Sequence, residues 1–161
     1  MQLLKISALI LLAALGAASS FAQSRPNVDT LSISGLKTAA PTSTLKSLSP
    51  FDTLFWNDGL GVGMLSKKGE LFGHKGEYRV AIQNSAIEQV SFAIGAKNSD
   101  DATKIYNDVT GQLHNRYGDA DATVTTDPPE IRWEGMAQFF AVRMAPEHNA
   151  VNIVLSKFEH H

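Results

Sequence analysis

Glu77-Tyr78-Arg79-Val80-Ala81-Ile82-Gln83-Asn84-Ser85-Ala86-Ile87-Glu88-Gln89-Val90-Ser91-Phe92-Ala93-Ile94 is the stretch that decides the fold. Tyr78, Val80 and Ile82 fall on one face of an extended chain, with Glu77, Arg79 and Gln83 on the other. Val90, Phe92 and Ile94 repeat the alternation against Gln89, Ser91 and Ala93. A period of two predicts half-buried strands, and the polar break Asn84-Ser85-Ala86 between them suits a hairpin.

Beyond Ile94 the period changes. Ala102, Ile105, Tyr106, Val109, Leu113 and Tyr117 recur at three-and-four spacing, which predicts a long amphipathic helix from Asn98 to Gly118. Asn98 or Ser99 can cap the first free amides, Asp100 and Asp101 complement the positive end, and Arg116 the negative end. Gly118 can close the helix in the left-handed conformation. Gly111 dissents: glycine in a helix interior costs about 1 kcal/mol against alanine, and a close helix-to-sheet contact would account for it.

Alternation returns after Pro128-Pro129, in Ile131 and Trp133, in Gln138, Phe140, Val142 and Met144, and in Val151, Ile153 and Leu155. Glu134-Gly135 and Pro146-Glu147-His148-Asn149 read as turns. Phe139 and Phe140 must point to opposite faces of their strand, so one of them lies off the helix-covered face, which implies a second covered face, a partner surface or cover from the N-terminal third. On the N-terminal side, Leu31 and Ile33 alternate with Ser32 and Ser34 before Gly35, a short strand. Pro41-Thr42-Ser43-Thr44 starts a short helix near Ser43 to Ser49, and Pro50 stops it. The predicted architecture is an α+β domain: a curved antiparallel sheet of about five to seven strands packed on one long helix, with a short N-terminal helix.

The first twenty-two residues have the layout of a secretory signal peptide of bacterial type. Lys5 precedes the apolar run Ile6 to Gly16, and small residues lead to a cleavage position after Ala22. The apolar core is about eleven residues against the roughly 20 needed to cross a bilayer, so no stable membrane anchor is expected. The chain divides into a cleaved segment 1–22, a flexible lead 23–29 and a single domain 30–159. The expected address is the periplasm or the exterior.

There is no cysteine, which excludes disulfides, thiolate metal sites, thiol nucleophiles and a lipidated N-terminus. Lys5 is the one charge in residues 1–22, so the remainder holds thirteen basic and sixteen acidic residues, a net charge of −3 with histidines neutral. No like-charge run exceeds Lys67-Lys68 or Asp100-Asp101, and nothing in this balance recruits nucleic acid. His160-His161 are read as native or as the remnant of a purification tag and carry no functional weight.

Four patterns invite chemistry. Asp119, Asp121, Thr123, Thr125, Asp127 and Glu130 match the ligand positions of a twelve-residue calcium loop. The sharp-turn position is Val124 rather than glycine, and Pro128-Pro129 replaces the exiting helix, so a solvated connection is the preferred reading and no metal is assigned. Gly59-Leu60-Gly61-Val62-Gly63 lacks the third glycine of a dinucleotide fingerprint, that position being Met64, and no cofactor is assigned. Glycines alternating in a strand more often mark close approach by another backbone or a bulge. His74, His114 and His148 stand in no metal or catalytic spacing. Phe51, Phe55 and Trp56 form the best candidate for partner binding. Their spacing places Phe51 and Phe55 on one face of a helical turn with Trp56 directed elsewhere, and the competing reading is that all three close the open side of the sheet.

The resulting expectation is an exported envelope protein that binds another protein, a cell-wall component or a small apolar ligand without catalysing a reaction. The alternative is an exported hydrolase whose site assembles from these histidines and distant carboxylates.

Overall fold

The computed structural model describes residues 27–46, 50–124, 130–145 and 149–158. Segment 1–22, His148, His160 and His161 lie outside them. The chain runs through a 3-10 turn at Val28–Thr30, α1 (Ser43–Lys46), β1 (Asp52–Asn57), β2 (Val62–Leu71), β3 (His74–Gln83) and β4 (Ala86–Gly95). It continues through α2 (Ser99–Tyr117), β5 (Ala122–Val124), β6 (Glu130–Glu134), β7 (Gln138–Ala145) and β8 (Ala150–Lys157).

All eight strands join one open antiparallel sheet in the order β1-β2-β3-β4-β8-β7-β6-β5. This corrects the expected architecture of five to seven strands curved over one long helix: the protein is mostly sheet. α2 packs on β7 and β8 and is the one helix of seven residues or more among the described residues. Of the short helix expected near Ser43 to Ser49, α1 covers Ser43–Lys46, and 47–49 lie outside the described residues. The strand expected at Leu31–Ser34 is instead a tight turn, in which Ile33 and Leu36 exchange backbone hydrogen bonds around Ser34 and Gly35, both at positive φ.

Register explains the core. Tyr78 pairs with Phe92 and Val80 with Val90 across β3 and β4. Phe92 and Val90 in turn meet Ile153 and Leu155 on β8, which meet Val142 and Phe140 on β7. Because strand side chains alternate, these residues fall on one face as a continuous apolar band, and all are buried. α2 adds Ile105, Val109 and Leu113 to that core. The N-terminal segment adds Val28, Leu31, Ile33, Leu36 and Leu45. This segment is pinned at both ends. Asp29 accepts three backbone N–H bonds from Met136, Ala137 and Gln138 in the β6–β7 turn, and Ala39 and Ala40 pair with Ile87 at the start of β4.

On the opposite face, Phe139 packs on the Phe158 ring with centroids 5.4 Å apart, and the Arg132 guanidinium lies 4.7 Å from its centroid. The uncovered aromatic thus finds local cover from β8's end and from its neighbour strand. No helix of the described residues is long and apolar enough to cross a membrane.

Candidate functional site

β1 is an edge strand, paired with β2 on one side, and every residue from Asp52 to Trp56 is exposed. Its register with β2 slips between Thr53 and Phe55, which leaves Leu54 as the extra residue of a bulge. Beyond the bulge Phe55 pairs with Met64 and Trp56 with Gly63, so the two rings stand on opposite faces of the same strand. Phe55 is 54% and Trp56 41% exposed; Leu54, Met64 and Leu60, the last at 67% in the connecting turn, surround them with further exposed apolar surface.

Trp56 is held in place. A Cβ on Gly63 would lie 2.2 Å from Trp56 Cε3, so the indole lies flat on the glycine backbone. The indole N–H donates to the Asp58 carboxylate, and Asn57 Oδ1 accepts from the Leu60 N–H at 3.2 Å to close the turn. The glycines that imitate part of a nucleotide fingerprint therefore serve a β-hairpin.

Phe51 does not join the other two. It is half-buried against the core, with the Lys67 ammonium 5.7 Å from its ring centroid. The helical turn inferred from the spacing of Phe51 and Phe55 is a strand with a bulge.

The structure ties two of the histidines to carboxylates. His74 Nε2 lies 2.8 Å from Asp108 Oδ2, and Gln112 bonds both that carboxylate and the Phe72 carbonyl, joining the β2–β3 turn to α2. His114 Nδ1 lies 3.1 Å from Asp119 Oδ1 at the rim of a cavity between α2 and β5–β6, with His114 59% and Asp119 92% exposed. Neither pair is sunk in a deep pocket. The Thr110 hydroxyl beside His114 is turned to the helix backbone, where it donates to the Tyr106 carbonyl at 2.8 Å.

Two carboxylates of the calcium-like spacing, Glu130 and Asp121, are used for structure. Glu130 is buried and accepts from Arg132 and Arg143. Asp121 accepts the Glu134 N–H at 2.6 Å, and Asp127 lies outside the described residues. Among the described residues no three His, Asp or Glu side chains gather as a metal site. Burial pushes the nearby Tyr106 phenol up, and the Glu130 charge adds to the effect.

The second tryptophan, Trp133, is core: its indole N–H donates to the Gly118 carbonyl at 3.1 Å and its ring meets Phe140 edge-on. Leu54 and Leu60 are parts of the patch that only the structure reveals, since isolated leucines near a turn carry no pattern. No family model, curated protein or solved structure matches this chain.

Proposed function

We propose that the protein is a non-enzymatic binding domain of the bacterial envelope, exported by its N-terminal segment, that docks another protein along β1. The observation that carries this reading is the pair Phe55 and Trp56, exposed on both faces of an edge strand while the indole is fixed on Gly63 and Asp58. Large aromatics dominate interface energy, and one already ordered before binding loses less freedom on docking. An edge strand also offers backbone N–H and C=O groups that an extended segment of a protein partner can pair, which a small apolar ligand cannot do.

The test is capture of a partner from an envelope extract by the parent chain, Trp56→Ala, Phe55→Ser and the control Met136→Ser, whose exposed methionine lies in the β6–β7 turn. Hot-spot truncation should weaken the complex about thirty-fold for Trp56→Ala. Equal recovery by Trp56→Ala and Met136→Ser would reject the reading.

A further inference from the structure

A glycine in the middle of a helix is destabilising unless a close approach or a positive φ requires it. Neither holds at Gly111. A Cβ built there meets no atom within 4 Å, and its φ is not positive, whereas Cβ atoms on Gly63, Gly69 and Gly76 would collide with Trp56, Tyr78 and Phe92. The close helix-to-sheet contact that would have explained Gly111 is absent; the residue borders open space.

That space is a cavity of about 470 Å³ between α2 and β5–β6, within the size range of small-molecule sites. Ile131 and Trp133, two apart on β6, turn to the same side; half-buried Ile131 gives the cavity its apolar wall with Thr123 opposite on β5, and the buried Trp133 lies behind it as part of the floor. Trp133 is immobilised by its bond to the Gly118 carbonyl. Among the described residues, the titratable ones lining the cavity are His114 and Asp119, joined at 3.1 Å. The C-terminal half of α2 adds the partial negative charge of its end carbonyls. Apolar wall and negative rim together suit a ring that carries a positive charge.

We infer that this cavity binds a small ring-bearing amine, the ring against Ile131 and the bare backbone of Gly111 with Trp133 buried beneath it, the ammonium at Asp119. The site is separate from the β1 patch, and the inference does not rest on the protein-docking reading. Because Asp119 is exposed, its charge gives modest selectivity, about five-fold for an amine over a carboxylate of the same shape.

The experiment is a titration of the ¹⁵N-labelled full chain with phenethylamine, read at the two indole N–H resonances, assigned with Trp56→Phe. The Trp133 signal is expected to move saturably while that of Trp56 stays still, and 3-phenylpropanoate should bind about five-fold more weakly. Gly111→Leu should weaken phenethylamine about ten-fold or more by filling the cavity. Gly111→Ala keeps the test independent of folding, since it should melt no lower than the parent and still bind more weakly. A Trp133 signal unmoved at about 10 mM amine, unchanged affinity in Gly111→Leu, or equal binding of the carboxylate would overturn the inference.

Discussion

At the scale of single residues, missing side chains shape this surface as much as the side chains present. Gly63 lets the Trp56 ring lie on the backbone of β2. Gly63→Val is therefore expected to lift the indole from its seat and reduce partner binding about ten-fold, with the far-ultraviolet dichroism unchanged; full binding would show that the seat is irrelevant. Asp29 acts over a far longer separation. The backbone N–H groups of Ala137 and Met136, and to a lesser degree Gln138, hold its carboxyl below the ordinary carboxylate range against the opposing effect of desolvation. A carboxylate whose pKa is lower folded than unfolded stabilises fully above its unfolded pKa, near 3.9, and loses that contribution as the pH falls through the folded value. Melting curves of the parent and Asp29→Asn should thus differ most above about pH 5 and converge in acid. A gap that widens in acid would contradict this.

Among the elements, those legible in the sequence are the ones whose own residues supply the period. β3, β4, β7 and β8 carry Tyr78, Val80, Phe92, Phe140, Val142, Ile153 and Leu155 on one face, and α2 carries its apolar stripe unaided. β1 and β2 were obscured for a physical reason. The bulge at Leu54 breaks the alternation of β1, leaving Phe51 and Phe55 at a spacing that imitates a helical turn. Gly63 and Gly69 remove side chains from β2, where the rings of Trp56 and Tyr78 on neighbouring strands cover the gaps. β5, only three residues long, offers too few positions for a period. These omissions account for the underestimated sheet. The β3–β4 turn is Asn84-Ser85, one residue shorter than the expected break because Ala86 already pairs with Gln83, and its chemistry is unusual: Asn84 and Ser85 both have positive φ, the conformation of a two-residue hairpin turn that favours Asn-Gly. Ser85→Gly should raise stability by about 0.5–1 kcal/mol in urea unfolding, because glycine adopts that conformation without strain. A loss of stability would mean that the serine side chain contributes more than its backbone costs.

Over the whole molecule, the strand order reads the same from either edge inward, β1 to β4 and β5 to β8, with β4 and β8 paired in the middle. The two edges differ in what they present. β5 is three residues long, whereas β1 is six and displays Leu54, Phe55 and Trp56. Charge on Asp52 and Asp58 together with the bulge tempers the hazard of indiscriminate pairing at such an edge. The proposed docking along β1 is most directly tested by placing a photo-crosslinking residue at Leu54 and, separately, at the exposed Lys104 of α2, then irradiating each protein in an envelope extract. A discrete adduct from position 54 that disappears with Trp56→Ala, and none from position 104, is the predicted result; equal adducts from both positions, or none from position 54, would contradict it.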